Sequence, residues 1–119
     1  MSESDLTRDV IASLSRGDTR LFRQEVGTFW SGVIVHRDAD TITLRFPRAV
    51  TVGVPGMSDI TGITDGGRYV AIETKMPGSR TDPERLHAQL QFIHTVTRLG
   101  GLAGIVDSVE GARVLLSKS

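Results

Sequence analysis

The chain has 119 residues, of which 39% are hydrophobic and 24% charged, and its formal net charge is zero. That length suits one domain with a single core, and the charge balance argues against a protein that merely coats nucleic acid. The absence of cysteine excludes disulfides and cysteine-ligated zinc. The three histidines, His36, His87 and His94, are not at a spacing that suggests a zinc site. Any bound metal would therefore be held by oxygen, which favours Mg²⁺ or Mn²⁺.

The apolar runs are too short to span a membrane. The first residues lack the basic-then-apolar pattern of a signal peptide. We therefore expect a cytoplasmic protein.

Hydrophobic periodicity predicts a helix followed by strands in the first half of the chain. The predicted elements are, in order, a helix at 4–15 and strands at 20–26, 33–36 and 41–46. Gly53 to Gly56 is predicted as a loop because it combines glycine with proline.

The second half of the chain alternates strands and helices. The predicted elements are strands at 60–63 and 69–75 joined by a tight 65–67 loop, a helix at 83–99, a strand at 102–106 and a helix at 109–116. Thr81 or Asp82 is the expected cap of the long helix, which starts at Pro83. This order predicts an α/β fold with a mixed central sheet flanked by helices.

The hairpin around residues 65–67 brings two carboxylates together. A three-residue loop pairs Thr64 with Arg68, and counting back places Asp59 opposite Glu73. Residues two apart on a strand share a face, so Lys75 points the same way as Glu73, about 7 Å away. Opposed carboxylates repel each other unless something offsets their charge, and a shared divalent cation would do so.

A cation with a neighbouring ammonium group is suited to hydrolysing a phosphodiester. The cation polarises a phosphoryl oxygen and acidifies a water molecule, while Lys75 orients that water or stabilises the developing charge. The alternative is an ordinary charged surface hairpin, since a bare pattern of Asp59, Glu73 and Lys75 is short and common.

The helix at 83–99 provides independent evidence. On a helical wheel Leu86, Leu90, Ile93 and Val96 form an apolar stripe, and Gln89 falls in the middle of it. A buried amide needs a partner. Gln89 should therefore reach either a loop backbone or a polar site beneath the helix. The opposite, solvated face is predicted to carry these residues: His87, Gln91, His94 and Arg98.

The chain resembles the VRR-NUC (virus-type replication-repair nuclease) domains of the PD-(D/E)xK superfamily, especially small stand-alone versions found in phages. Nearly the whole chain is covered, through stretches at 14–18, 20–23, 26–27, 56–62, 71–75, 80–84, 89–93 and 100–108. The resemblance implies a restriction-endonuclease-like core over a single domain, residues 1–119.

The resemblance also implies roles for individual residues. Asp59 and Glu73 would bind the metal with the Thr74 carbonyl, Lys75 would be catalytic, and Gln89 would be an active-site residue. An acid of the first helix would assist the metal. Its best match is Glu3, which the helix dipole alone also explains.

Four further residues complete the predicted site. Arg23 and Arg80 lie in the matching stretches and are expected to contact DNA. Ser58 stands where the superfamily name expects proline, and Glu25 where asparagine is expected. A carboxylate at Glu25 would be either an extra metal ligand or a weakness in phosphate contact.

The function that follows is that of a Mg²⁺- or Mn²⁺-dependent DNA endonuclease, selective for DNA structure like a Holliday-junction resolvase and acting as a homodimer. The region from Trp30 to Phe46 is expected to be a dimer surface or a DNA contact, unless its apolar residues are core. The alternatives are a non-catalytic DNA-binding or assembly module derived from a nuclease, and an unrelated α/β protein.

Overall fold

The computed structural model describes residues 1–118. Its helices are α1 (Glu3–Leu14), α2 (Pro83–Arg98) and α3 (Val109–Leu116). Its strands are β1 (Arg20–Arg23), β2 (Gly27–Arg37), β3 (Ile42–Val52), β4 (Ile60–Thr64), β5 (Arg68–Thr74) and β6 (Leu102–Val106). In this described part of the chain, no helix has the length and apolar character needed to cross a membrane.

The chain divides into two compact units. The first takes Met1–Gln24 and the chain from Pro55 onward, and the second is Glu25–Val54. The first unit contains a four-stranded sheet in the order β1-β4-β5-β6, in which only the β5–β6 pair is parallel. The predicted α/β fold with a mixed sheet is confirmed. The prediction of a single nuclease-like domain stays a prediction.

One face of this sheet carries the hydrophobic core. The core cluster joins side chains of α1, α3 and the sheet: Leu6, Val10, Leu21, Ile60, Val70, Ile72, Val106, Ala112 and Leu115. Because side chains alternate along a strand, Ala71 and Glu73 point to the opposite face from Val70 and Ile72. Helix α2 contacts β5 and β6. Glu73 is thus directed away from the apolar core.

The helix ends follow from local side-chain chemistry. The Ser2 hydroxyl accepts from the Asp5 N–H while the Asp5 carboxylate accepts from the Ser2 N–H, a capping box that starts α1. The Asp82 carboxylate accepts from the Arg85 N–H and starts α2, with Pro83 in the first turn. Of the two expected caps, Asp82 is the one observed.

Three expectations about the elements are wrong. Strand β1 ends at Arg23 instead of residue 26, and β2 and β3 are each eleven residues long, extending beyond 33–36 and 41–46. Both faces of β2 and β3 are largely exposed. A strand that buries neither face does not require alternating apolar and polar residues, so the full length of these strands was not apparent from the sequence. Leu90 is 49% exposed although it lies on the predicted apolar stripe of α2.

The second unit is an antiparallel pair of β2 and β3. Its register shifts between Ser31 and Val33, where Phe46 and Pro47 are opposite Gly32 alone. Proline has no N–H to donate to the ladder, so an irregularity at this position is expected. Phe46 has a φ of 55°, the only positive value at a non-glycine residue within residues 1–118.

Candidate functional site

The hairpin of β4 and β5 brings Asp59 and Glu73 together as predicted. Thr64 pairs with Arg68 and Ile60 with Ile72, so one further step places Asp59 opposite Glu73. Asp59 lies just before β4 and is held against β5: its Oδ2 accepts from the backbone N–H and the hydroxyl of Thr74, both at 3.0 Å. The hydrogen bonds fix the orientation of this carboxylate.

The Thr74 side chain links Asp59 to helix α1. Its Oγ1 lies 2.7 Å from the Thr7 Oγ1, and the Thr7 hydroxyl lies 2.9 Å from the Glu3 carbonyl oxygen. Both threonines are buried. Sequence reasoning assigned Thr74 a role only through its backbone carbonyl and missed this side-chain connection. The predicted carbonyl role stays a prediction.

Glu73 is an acidic side chain that is almost fully buried. Only 2% of it is exposed, and its Oε2 has no hydrogen-bond partner. The pKa of Glu73 is raised to about 8, first by burial and then by the hydrogen bond and charge repulsion of Asp59. Lys75 and Arg85 act in the opposite direction and lower it. An added positive charge at this position would stabilise the ionised form.

Lys75 is fixed at the end of β5 with its ammonium group inside the site. Its backbone N–H donates to the Val106 carbonyl at 2.9 Å, which continues the pairing with β6. Its Nζ donates to the Thr81 hydroxyl at 2.7 Å and lies 4.0 Å from Glu73 Oε1. The predicted common direction of Glu73 and Lys75 is confirmed. Thr81 was expected only as a possible helix cap, and its contact with Lys75 was missed.

Two more buried polar oxygens lack a hydrogen-bond partner: Ser58 Oγ and Gln89 Oε1. Gln89 is 3% exposed, which confirms its burial on the inner face of α2, while Gln91 on the same helix is exposed. The loop before Asp59 approaches α2 closely: a Cβ at Gly56 would lie 2.3 Å from the Ala88 carbonyl oxygen. Unpartnered buried oxygens indicate a place for a water molecule or a cation.

A pocket of about 290 Å³ opens onto Asp59, Glu73 and Lys75. It is lined by Glu3, Ser4, Thr7, Arg23, Asp59, Glu73, Lys75, Arg80, Thr81, Asp82 and Arg85. Residues at the N-terminal ends of α1 and α2 both line it, so two helix termini with partial positive charge lie at this pocket. Arg23 and Arg80 line this pocket, and their predicted contact with DNA stays a prediction. Arg85 is a further cation that the sequence analysis missed.

The donor set fits a divalent cation that keeps most of its water. Among residues 1–118 no group of three His, Cys, Asp or Glu side chains is placed to hold an ion. Mg²⁺ is usually bound by one or two carboxylates with water and substrate phosphates, so the pair of Asp59 and Glu73 suffices. Glu3 lines the pocket, and its predicted part in the metal site stays a prediction.

Glu25 is the first residue of the second unit and is exposed. Both expectations for this carboxylate, an extra metal ligand or a weaker contact with phosphate, stay predictions.

No family model, no curated protein and no solved structure matches the chain.

Proposed function

We propose that the protein is a metal-dependent hydrolase of DNA phosphodiester bonds, with a PD-(D/E)xK core of the VRR-NUC type. The observation that carries the proposal is Glu73: a buried carboxyl with an unpartnered oxygen, opposite Asp59 and 4.0 Å from an ammonium group. A purely structural ion pair between Glu73 and Lys75 would not need a second carboxylate, that of Asp59, opposite Glu73. A cation-binding site explains all three features.

The residues of the chain have distinct parts in this reaction. Asp59 and Glu73 would hold Mg²⁺ or Mn²⁺, which supplies Lewis-acid polarisation of a phosphoryl oxygen and acidifies a water molecule. Lys75, oriented by Thr81, places positive charge where negative charge develops on the phosphate.

The pocket favours a phosphate group over a neutral substrate. The pocket is lined by four cationic side chains and four carboxyl groups, so a bound divalent cation would leave it with a net positive charge. The cationic side chains are Arg23, Lys75, Arg80 and Arg85. Arginine forks match phosphate oxygens, and helix N-termini attract anions. These features support a nucleic-acid backbone as the substrate.

Selectivity for branched DNA and a homodimeric state are part of the same proposal. Symmetric cutting of a four-way junction requires two active sites related by a two-fold axis, and one copy of this chain has one such pocket among its described residues. A cytoplasmic location also remains part of this proposal.

Incubation with labelled duplex, single-stranded and branched DNAs tests the function. We expect cleavage in Mn²⁺ or Mg²⁺ and none in EDTA. Mn²⁺ should raise the melting temperature of the wild type but not of Asp59→Asn, whose amide oxygen still accepts from Thr74 but carries no charge. Asp65→Asn, at the exposed end of the same hairpin, is the matched control and should retain both properties. Metal-independent cutting, or equal Mn²⁺ protection of Asp59→Asn, would overturn the proposal.

Gln89 and Gln91 provide a matched pair on α2. We expect Gln89→Ala to lower turnover by roughly 10-fold or more, because its amide is buried and its Oε1, which lacks a hydrogen-bond partner, can bind a water molecule. Gln91→Ala changes only an exposed side chain and should cut like the wild type. The rates are measured under single-turnover conditions at a temperature where both variants are folded. Equal rates for the two variants contradict a role for Gln89.

The alternative of a non-catalytic DNA-binding module makes a different prediction. Such a protein would bind the DNA panel without cutting it in any metal. The buried position of Glu73 favours the enzyme, because a binding surface gains nothing from a sheltered carboxylate next to DNA.

A further inference from the structure

The two faces of the β2–β3 hairpin differ in chemistry. Directly paired residues share a face, so Ser31 with Arg48 and Val33 with Arg45 lie on one side. Trp30, Ile34 and Leu44 lie on the other, where they line a shallow pocket. We call the first side, defined by Phe29, Ser31, Val33, Arg45 and Arg48, the arginine face.

The arginine face is positively charged and exposed. Arg45 and Arg48 are both exposed, and neither β2 nor β3 contains an Asp or Glu residue. The carboxylates of this unit lie before β2, at Glu25, and in the turn, at Asp38 and Asp40. Ser31 and Val33, the partners of the two arginines, stand about 7 Å apart along β2. That spacing is close to the axial rise of two nucleotides.

Phe46 adds an exposed aromatic ring beside these charges. It is 74% exposed, and the Arg45 guanidinium carbon lies 5.1 Å from its ring centroid. Its φ of 55° is unfavourable for a bulky side chain. A glycine would adopt this conformation without strain. The bulge therefore keeps an aromatic side chain in solvent at the expense of local stability.

We propose that the arginine face of the hairpin, with Phe46, binds nucleic acid: Arg45 and Arg48 contact phosphates two nucleotides apart on one strand, and the Phe46 ring stacks on an unpaired base. The inference rests on the proposed function for DNA as the ligand. The hairpin would then be a contact to nucleic acid that is separate from the Asp59–Glu73 site.

Charge decides between nucleic acid and a second copy of this chain as the occupant. A two-fold contact between copies would place the same face against itself. Arg45 and Arg48 would then approach the same two arginines of the other copy. Neither β2 nor β3 contains a carboxylate that could neutralise these charges. A polyanion supplies the missing negative charge, and unpaired bases supply a stacking partner for Phe46.

Binding of labelled duplex and single-stranded DNA in EDTA tests this inference without requiring metal or cleavage. For the Arg45→Ala/Arg48→Ala double variant we expect the dissociation constant at ~0.1 M salt to rise roughly 10- to 60-fold. The slope of log affinity against log salt should become shallower by about 2. Arg37→Ala is the matched control, since Arg37 pairs with Ile42 on the other face of the hairpin, and it should lose far less affinity.

Phe46→Gly separates stacking from charge. We expect its affinity for single-stranded DNA to fall roughly 5- to 150-fold, with an unchanged or higher melting temperature because glycine accepts the positive φ. Wild-type affinity in both the double variant and Phe46→Gly would overturn the inference. A changed oligomeric state with retained DNA affinity would instead make this face an interface between copies.

Failure of this inference can be distinguished from failure of the proposed function. If hairpin variants lose DNA binding but the wild type cuts no DNA, the hairpin inference stands and the enzyme does not. If cleavage depends on Asp59 but the arginine variants bind DNA normally, the reverse holds.

Discussion

Replacing Glu73 by glutamine is expected to stabilise the metal-free protein above pH 8 and to abolish cleavage. The wild-type carboxyl is nearly fully buried and lies opposite Asp59, so its ionised form is costly without a bound cation. A neutral amide of the same shape removes that cost and can donate to Asp59. The same change removes a charged ligand for the metal.

The pH dependence follows from the direction of the pKa shift. The Glu73 carboxyl titrates near 4.5 when unperturbed and at about 8 in the folded protein. Between these values the folded state holds a proton that the unfolded state has lost, so stability falls as pH rises. Below pH 4.5 Glu73 is protonated in both the folded and the unfolded state, so stability does not depend on this group. Above about pH 8 the carboxyl is ionised in both states, and no further stability is lost. The full loss is on the order of a few kcal/mol.

Thermal unfolding of both proteins in EDTA across this pH range provides the measurement. Glu73→Gln should melt at a higher temperature than the wild type above pH 8, and the difference should shrink towards pH 5. Mn²⁺ should restore stability to the wild type at high pH and leave the variant unchanged. Glu84→Gln, an exposed acid in the first turn of α2, is the control and should show neither effect. A variant that is less stable than the wild type at high pH would contradict the account.

The site was predictable wherever chain geometry alone decides the outcome. The three-residue loop fixes the register of β4 and β5, and that register puts Asp59 opposite Glu73. Helical periodicity similarly identified Gln89 as the buried amide of α2. Both results follow from residue spacing within one element or one tight hairpin.

The contacts that depend on several elements were not predictable. Thr81 is six residues from Lys75, and only the path of the loop between them brings its hydroxyl within 2.7 Å of the ammonium group. Thr7 reaches Thr74 across 67 residues of chain. The exposure of Leu90 was not predictable either. A helical wheel shows which residues share a face of α2, but it does not show how far the neighbouring layer extends along that face.

The length of the β2–β3 hairpin was missed for another reason. Sequence patterns detect strands that bury one face, because apolar and polar residues then alternate. Here both faces are exposed and Pro47 interrupts the ladder, so the pattern is lost even though pairing continues from Gly27 with Val52 to Arg37 with Ile42.

Replacing Lys75 by alanine is expected to lower the rate of cleavage by roughly 10²- to 10³-fold while Mn²⁺ binding is retained. The ammonium group lies 4.0 Å from Glu73 Oε1 and the Lys75 side chain is only 19% exposed, so its charge acts in a sheltered environment where it is effective. Asp59 and Glu73 stay in place, because the Lys75 backbone N–H, not its side chain, joins β5 to β6. Mn²⁺ should therefore still raise the melting temperature of the variant.

Two further variants separate charge from position. Thr81→Val keeps the shape of the side chain but removes the hydroxyl that accepts from Lys75, so Lys75 remains charged and is less well oriented. Its turnover should fall by roughly 10-fold, and KM should change little. Lys118→Ala alters the other lysine of the chain, and its rate should match the wild type. If Lys75→Ala cuts DNA as fast as Lys118→Ala, the positive charge beside Glu73 contributes nothing to the reaction, and the pairing of Lys75 with Thr81 is structural.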